Sequence, residues 1–353
     1  MGLKVLSLFD GMSCGQIALE RAGVPYDCYY ASEINPDVIA VTQKNYPKTI
    51  QIGNVNGVKG VDLPEIDLLM GGSPCQGFSF AGKMLNFDDP RSRLFFEYVR
   101  ILKECKPTYF LLENVKMKKE HEDVITNELQ VQPIEINSNL ISAQNRKRLY
   151  WTNIPNVTQP QDREITWGDV REVGVNEEKF YYGVRAMQWL GRHSHRKSKI
   201  FTVHSDDDKM QMLEEGHKKK YSSQRFFGVA DFPSDGPTRL RMRDEYCIVG
   251  RVEERKKWLA SISPKPYVEF RYDKDNNRLL TILGDNCIPF TLPHTIGELD
   301  FLRYITPIEC ERLQTVPDGY TSGMSDTTRY GMLGDGWTVD VIAHIFRGIE
   351  CDA

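Results

Sequence analysis

KVLSLFDGMSCGQIALERAG, residues 4–23, is the stretch of sequence that decides the fold class. Residues 4–9 are apolar and rich in β-forming side chains, which predicts a buried strand, and residues 15–23 have a helical pattern that ends at Gly23. The loop between them carries glycines and small polar side chains. A strand, a glycine-containing turn and a helix in this order are typical of the first unit of a parallel α/β sheet.

The same alternation continues to residue 152. Short apolar runs predict further strands at 29–32, 66–70, 108–112, 133–137 and 148–152, and helical patterns separate them near 36–45, 90–104 and 121–129. Residues 153–303 lack this rhythm, and helical patterns return near 307–315 and 338–347. We therefore expect an α/β fold: a doubly wound, mostly parallel sheet formed by 1–152 and 304–353, with a smaller irregular domain over 153–303.

The composition narrows the class of protein. The chain has 353 residues, 40% of them hydrophobic, and 45 Lys+Arg against 49 Asp+Glu give a net charge of -4. No apolar run approaches the roughly 18 residues of a membrane span, and Asp10 interrupts the segment where a signal peptide would be apolar, so a cytoplasmic protein without a membrane partner is expected. This slightly negative net charge argues weakly against a polyanion as binding partner.

The eight cysteines are never closer than 14 positions, which excludes a CxxC pair, so a functional cysteine would act as a single thiol. GGSPCQGFSFAGK, residues 71–83, permits three interpretations. It matches GxxxxGK, but Met84 stands where a phosphate-binding loop needs Ser or Thr. It contains Pro-Cys, but Phe78 replaces the second cysteine of a deaminase zinc motif. The third interpretation makes Cys75 a nucleophile in an accessible loop, and the alternative is a small buried side chain.

Polar side chains follow several of the predicted strands. Glu33 could accept hydrogen bonds from the ribose hydroxyls of a nucleotide. The loop after the first strand, however, does not fit the dinucleotide pattern GxGxxG and could be a plain glycine turn. Glu113 could hold or donate a proton, or be a surface carboxylate. Arg146 and Arg148 share one face of an extended segment and need an anionic group to balance them, unless they lie on a solvated edge strand.

Taken in order, eight motifs resemble those of the DNA (cytosine-5) methyltransferases: LFDGMSCG, ASEIN, GGSPCQGFS, RSRLFFEYVRIL, LLENV, QNRKRLYW, ITPIECERLQTVPDGY and GMLGDGWTVDVIAHIF. LFDG, RLFFE and the ending around Trp337 look closest to the de novo branch of that family. The resemblance covers 1–152 and 304–347. It implies a stand-alone enzyme of bacterial or phage type, with S-adenosylmethionine as cofactor, double-stranded DNA as partner, and neither a metal nor an obligate protein partner.

The resemblance also implies catalytic roles. Cys75 would add to carbon 6 of cytosine, so that carbon 5 becomes able to take a methyl group. Because a free thiol is mostly protonated near neutral pH, its surroundings must favour the thiolate. Glu113 would bind or protonate ring nitrogen 3, and Arg146 would contact the base carbonyl and the Glu113 side, with Arg148 in support.

For the cofactor, the resemblance implies that Phe9 stacks on the adenine, Glu33 binds the ribose, and Leu94 and the Trp337 segment close the pocket. The full expected set is Phe9, Asp10, Gly11, Ser13, Gly15, Glu33, Ile34, Asn54, Val55, Pro74, Leu94, Asp335, Gly336 and Trp337. Two positions depart from the family pattern. Asn54 stands where an aspartate is usual, and Asp335 stands where Asn or Arg is frequent.

A base inside a duplex cannot be reached, so the target cytosine would be flipped out, and 153–303 would supply the recognition contacts. Residues 191–257 hold 16 Lys+Arg against 11 Asp+Glu, a local charge of +5 that leaves -9 for the rest, so the whole-chain charge conceals a basic stretch. The expected DNA contacts are Gln76, Ser79, Arg239, Arg241 and Arg243. A tRNA substrate and a catalytically inert DNA-binding relative are the alternatives. His193 and His195 have no third ligand nearby, so no metal site is expected.

Overall fold

The computed structural model describes residues 2–73, 90–172, 175, 201–204, 209–211, 226–230, 239–241, 246–248, 269–273, 278–283, 286–290, 302–303 and 305–350. The chain divides into two compact units. One comprises Met1–Ile165, Gln211–Lys218 and Glu311–Ala353, and the other comprises Thr166–Met210 and Lys219–Cys310.

A seven-stranded sheet organises the first unit. Its strands are β1 (Leu3–Leu8), β2 (Tyr26–Ser32), β3 (Ile50–Gln51), β4 (Leu68–Gly72), β5 (Tyr109–Val115), β6 (Ile134–Asn137) and β8 (Lys147–Thr152), and the short β7 is Gln144–Asn145. The order is β3-β2-β1-β4-β5-β8-β6. The pairs from β3 through β5 are parallel, and β8 runs antiparallel to both of its neighbours. The expected mostly parallel, doubly wound α/β sheet is confirmed.

The described helices are α1 (Cys14–Ala22), α2 (Pro36–Asn45), α3 (Pro90–Cys105), α4 (Lys119–Leu129), α5 (Trp167–Val170), α6 (Pro307–Leu313), α7 (Asp326–Asp335) and α8 (Val339–Phe346). Local sequence explains several ends. Gly23 ends α1 with a φ of 73°, which glycine adopts without steric cost, and Asn35 caps α2 by accepting a hydrogen bond from the backbone of Asp37. In the described part of the chain, no helix is long and apolar enough to cross a membrane.

Alternate side chains of the strands serve the two faces of the sheet. Leu69 lies in the hydrophobic core that also contains Phe95 and Tyr98 of α3. The next residue, Met70, lies where a side chain at Gly15 of α1 would be, since a Cβ there would come within 2.5 Å of the Met70 methyl carbon. The period of two along β4 therefore buries one residue against α3 and the next against α1, so both faces of this strand are covered.

The described strands after residue 200 are short: β9 (Phe201–His204), β10 (Met210–Gln211), β11 (Phe226–Ala230), β12 (Arg239–Arg241), β13 (Tyr246–Ile248), β14 (Glu269–Asp273), β15 (Arg278–Leu283), β16 (Asn286–Phe290) and β17 (Leu302–Arg303). They include the antiparallel run β14-β15-β16 and the pair β12-β13. The expected separate domain over 153–303 stays a prediction.

Three details differ from the sequence-based expectations. The first strand ends at Leu8, because Phe9 leaves the extended conformation with a φ of 56°. The solvated-edge alternative for the Arg148 segment is wrong, because β8 lies between β5 and β6 inside the sheet. Helix α7 was not expected at all, and neither were the two-residue strands β3 and β7 nor the short helix α5.

Candidate active site

The candidate site lies where the strand order of the sheet reverses. β1 and β4 are neighbours although β2 and β3 separate them in sequence, and Leu8 is the register partner of Gly71. Gly72 in turn pairs with Glu113 at the end of β5. Loops that leave a parallel sheet on either side of such a point diverge and leave a crevice, which is where doubly wound folds bind ligands.

The loop after β1 is held in an uncommon backbone conformation. Phe9, Gly11 and Ser13 all have positive φ angles, of 56°, 60° and 59°. For a bulky residue such as Phe9 this conformation is strained, and strain of this kind concentrates at ligand-binding sites. A Cβ placed on Gly11 would meet no heavy atom within 4 Å, so the backbone there faces open space. The loop can therefore bring backbone groups close to a ligand.

Asp10 is the hydrogen-bond acceptor inside this loop. Its carboxylate accepts from the Ser13 hydroxyl and from the Tyr29 hydroxyl, the latter at 2.7 Å. Burial raises the pKa of Asp10 to about 6, and the hydrogen bonds from Ser13, Tyr29 and Ser7 oppose that rise. Because Ser13 uses its hydroxyl on Asp10, it does not cap α1 with its side chain.

The raised pKa of Asp10 gives a stability prediction. A carboxyl whose folded pKa lies above its unfolded value costs stability as the pH rises, here between pH 4 and pH 6. Asp10→Asn removes this dependence, so its unfolding free energy relative to the native chain should rise across that window by at most about 3 kcal/mol. Urea unfolding at several pH values measures it, with Asp62→Asn on an exposed turn as the control. A difference as flat as the control's would contradict the prediction.

Glu33, at the end of β2, holds the neighbouring loops together. One carboxylate oxygen accepts the backbone N–H of Gly11 at 2.9 Å, and the other accepts those of Ile34 and Asn35 at 2.8 and 2.9 Å. The side chain of Ile34 is 69% exposed. An exposed isoleucine can pack against a flat apolar ring of a ligand, and the fixed carboxylate beside it can accept hydrogen bonds from hydroxyls of the same ligand.

Asn54 and Val55 have structural roles in the structure, and their expected contacts to a cofactor stay predictions. The amide oxygen of Asn54 accepts the backbone N–H of Asn56 at 3.0 Å, so it caps the short turn Val55–Gly57. The side chain of Val55 is buried in the hydrophobic core. A ligand at this position would therefore meet the exposed Asn54 and the backbone, and not the Val55 side chain.

Gly15 and Leu94 also serve packing. A Cβ on Gly15 would lie 2.5 Å from the methyl carbon of Met70 and 2.8 Å from the hydroxyl of Tyr29, so glycine lets α1 approach the sheet closely. Leu94 is partly buried and packs against the core beside α3. Both were expected to bind a cofactor, and the structure gives each of them a packing role.

A largely buried ion pair lies at the centre of the candidate site. The Arg148 Nε atom lies 2.9 Å from Glu113 Oε1, and the two side chains are 9% and 11% exposed. The expectation gave Arg146 the Glu113 side and Arg148 a supporting place; in the structure Arg148 makes this ion pair. Oriented by β5 and β8, the carboxylate is held at the sheet edge beside Gly72.

Arg146 is buried and holds the segment between α7 and α8. Its Nη1 donates to the carbonyl of Gly334 at 3.2 Å and its Nη2 to that of Gly336 at 2.9 Å. The pKa of Arg146 is lowered to about 10, first by burial and then by the charge of Arg148, while the charge of Glu113 acts in the opposite direction. The guanidinium is therefore still a cation at neutral pH, in a cluster of two arginines and one glutamate.

The segment Asp335–Trp337 reaches the same place. A Cβ on Gly72 would lie 2.9 Å from the Trp337 indole nitrogen and 3.0 Å from Glu113 Oε2, so only glycine leaves room for both. A Cβ on Gly336 would lie 2.9 Å from the methyl carbon of Met12, in the loop after β1. Asp335 itself is exposed at the end of α7. The sheet edge, the loop after β1 and this segment therefore converge.

Asn114 contributes to the site, although the sequence analysis gave it no role. Its side-chain amide donates to the Ser73 hydroxyl at 3.1 Å and to the Ser73 carbonyl at 3.4 Å, and both residues are buried. This ties the end of β5 to the residue that precedes the Pro74-Cys75 loop. Its place directly after Glu113 in the quoted LLENV motif is a signal that could have found it.

A family model described as C-5 cytosine-specific DNA methylase matches residues 3–351. The chain belongs to this family. Among curated relatives, the type II methyltransferase M.NgoBV of Neisseria gonorrhoeae is 37% identical over 172 residues, which are 42% of this chain and 41% of that protein. M.NlaX of Neisseria lactamica is 27% identical over 359 residues, 97% of this chain and 94% of its own. The chain thus matches less than half the length of M.NgoBV and nearly all of M.NlaX.

A solved structure extends the likeness of this chain to the fold. A variant of Spodoptera frugiperda DNMT2 superimposes with a TM-score of 0.65 at 21% identity, covering 98% of this chain and 99% of that one. At this level of identity the likeness concerns the fold.

Three described cysteines, Cys14, Cys105 and Cys310, are poor nucleophile candidates. Cys14 is buried, and burial raises its pKa to about 12. Cys310 is buried, and burial raises the pKa of Cys105. Thiolates are the reactive form, so groups like these are inert near neutral pH.

Some expected site residues lie outside the described part of the chain. They are Pro74, Cys75, Gln76, Ser79 and Arg243, and the histidines His193 and His195 lie outside it as well. Arg239 and Arg241 belong to β12, which is described as a strand. Their expected contacts to DNA therefore stay predictions.

Proposed function

We propose that this protein is a DNA (cytosine-5-)-methyltransferase, which transfers a methyl group from S-adenosylmethionine to carbon 5 of cytosine in double-stranded DNA. Its family membership supports the activity, and type II methyltransferases among its relatives support a role in restriction and modification. Within the family we assign it to the de novo branch on LFDG, RLFFE and the Trp337 ending. Bacterial relatives support action on DNA in the cytoplasm of a bacterial or phage-infected cell.

One observation carries the proposal: the Glu113 and Arg148 pair, with Arg146 nearby, lies at the switch point of the sheet. Glu113 is in register with Gly72, which precedes Cys75 by three residues in the sequence. A thiol, a carboxylate and two guanidinium groups are the side chains that attack on a cytosine ring requires. The neighbouring ends of β4 and β5 therefore suit this chemistry.

The chemistry explains why these groups belong together. The Cys75 thiolate forms a bond to carbon 6, and electrons move through the ring toward nitrogen 3, where Glu113 supplies a hydrogen bond or a proton. Arg146 and Arg148 stabilise the negative charge that develops on the ring and its carbonyl oxygen. After carbon 5 has taken the methyl group, it loses its proton to solvent, and the double bond between carbons 5 and 6 re-forms as the bond from carbon 6 to the Cys75 sulfur breaks. Cys75 leaves as the thiolate, and nitrogen 3 returns any proton it received to Glu113.

The described residues fit an S-adenosylmethionine site at the same edge. Gly11 faces open space, Glu33 is a fixed carboxylate and Ile34 is exposed. The neighbouring Phe9, Asp10, Asn54 and Trp337 complete the set that would hold the cofactor, whose sulfonium makes its methyl group transferable. Asp10 and Glu33 offer negative charge to a cationic ligand.

We assign catalysis to residues 1–152 and 304–353 and target recognition to residues 153–303. The local charge of +5 over residues 191–257 supports this, because contacts to DNA phosphates need cations. Arg239, Arg241 and Arg243 are candidates for reading base edges and Gln76 and Ser79 for contacts near the flipped base, since Arg and Gln side chains pair well with bases.

Methyl transfer from labelled S-adenosylmethionine tests the proposal. The full chain is incubated separately with duplex DNA and with tRNA, and bisulfite sequencing then locates the modified base. We expect label in duplex DNA, at carbon 5 of cytosine in a fixed sequence context. Label in tRNA alone would overturn the DNA assignment, and DNA binding without transfer to either substrate would identify an inert relative.

A further inference from the structure

We infer that Gln314 is a positioning residue for methyl transfer, because it fixes the segment that connects α7 to α8. This inference rests on the proposed function, since that segment contains Gly336 and Trp337. Gln314 directly follows α6 and is completely buried. The sequence analysis quoted it within ITPIECERLQTVPDGY and gave it no role.

Both the nitrogen and the oxygen of the Gln314 side-chain amide make hydrogen bonds. Its Nε2 atom donates to the carbonyls of Leu333 at 2.6 Å and Gly336 at 3.3 Å. Its Oε1 atom accepts the Thr338 hydroxyl at 2.9 Å and Gln144 Nε2 at 3.3 Å. A primary amide offers donors and acceptors in one plane, so no other side chain of this size can make all four contacts.

The backbone of Gln314 joins the same arrangement. Its carbonyl accepts the backbone N–H of Val339 at 2.9 Å, at the first residue of α8. Four of these five hydrogen bonds hold the end of α7, the connecting segment and the start of α8, and the fifth comes from Gln144 on β7. Buried polar groups that are satisfied in this way rigidify the segment around them.

Gln314 and Arg146 share an acceptor. Arg146 Nη2 donates to the Gly336 carbonyl, which Gln314 also binds, and Arg146 Nη1 donates to the carbonyl of Gly334. Gln314 thus fixes one of the two carbonyls that place Arg146, that of Gly336. Trp337, between Gly336 and Thr338, lies against Gly72 and near the Glu113 carboxylate. The Gln314 amide therefore positions both the Arg146 guanidinium and the Trp337 indole in the site.

The test uses the isosteric substitution Gln314→Glu. A carboxylate at this place turns acceptor atoms toward the carbonyls of Leu333 and Gly336, so the connecting segment moves away from Arg146 and Gly72. Small displacements of positioning groups cost up to about 100-fold in rate. We expect the turnover number per folded molecule to fall at least tenfold, and the Kd for S-adenosylmethionine to rise at least fivefold. The KM for duplex DNA should change less than twofold.

A milder variant guards against failure to fold. Thr338→Val keeps the side-chain shape and removes only the hydroxyl that donates to Gln314, and we expect the same effects at about one third of their size on a logarithmic scale. Ile125→Val, a substitution in the core on α4, is the control for stability alone. Deleting a core methyl group lowers stability alone, so the Kd for S-adenosylmethionine should keep its native value.

Two outcomes decide the inference. A higher Kd for S-adenosylmethionine in both variants, together with partial recovery for Gln314→Glu as the new carboxyl is protonated at lower pH, supports a positioning role. Native Kd and native turnover per folded molecule in Thr338→Val and Gln314→Glu overturn it. Failure of the native chain itself to bind S-adenosylmethionine refutes the proposed function instead, so the two failures are distinguishable.

Discussion

Replacing Cys75 by alanine is expected to abolish methyl transfer and to leave the binding of duplex DNA largely intact. The reason is chemical: without attack at carbon 6, carbon 5 of cytosine is too weak a nucleophile to take the methyl group. The loss should be at least about 10⁴-fold, because covalent nucleophiles are not replaced by water in such sites. Labelled methyl transfer and DNA titration measure the two properties separately.

Cys28→Ala is the matched control for Cys75→Ala. Cys28 is a free, half-buried cysteine on β2, away from the candidate site, and its removal should leave transfer at the native rate. A duplex with 5-fluorocytosine adds a second readout. Fluorine cannot leave carbon 5 as the proton does, so the native chain should remain covalently attached to this DNA and Cys75→Ala should not. Normal transfer by Cys75→Ala would refute the proposed mechanism.

The sheet could be predicted from the sequence because its strands are buried. Runs such as 29–32 and 108–112 are apolar and lie between turn residues, so period and composition both indicate strands. Helix α7 could not be predicted in this way. Its sequence, DTTRYGMLGD, contains Gly331 and Gly334 and two threonines, all poor helix formers. Its residues Gly331 through Gly334 are buried, so packing rather than propensity stabilises it.

The positions of the site residues could be predicted from the topology of the sheet, whereas their ion-pair and hydrogen-bond partners could not. Glu113 and Glu33 were expected at the carboxyl edge because each follows a strand, and both lie there. That Arg148 pairs with Glu113 depends on how β8 registers against β5, which alternation alone does not specify. The partners of the Gln314 side chain at the end of α7 and in the connecting segment are 19 to 24 positions away in sequence, and Gln144 is 170 positions away, so no local pattern brings them together.

The second large effect is expected for Glu113→Gln, which should lower the rate of methyl transfer about 10²–10⁴-fold. A neutral amide cannot donate a proton to nitrogen 3 and balances less of the charge of Arg148. The variant should also lose stability, because it leaves the Arg148 guanidinium with 9% exposure and without its carboxylate 2.9 Å away. Breaking a buried ion pair in this way costs about 3 kcal/mol.

A double variant separates these two effects. In Glu113→Gln with Arg148→Met, both charges are gone, so the unfolding free energy should recover toward the native value while transfer stays low. Glu135→Gln is the control: this exposed carboxylate pairs with Lys116 at 2.7 Å on the surface, and its loss should change stability by less than about 0.5 kcal/mol and leave the rate unchanged. The double variant still lacks the Glu113 carboxylate. If methyl transfer recovered there along with stability, Glu113 would only hold the fold and would not assist attack on the base.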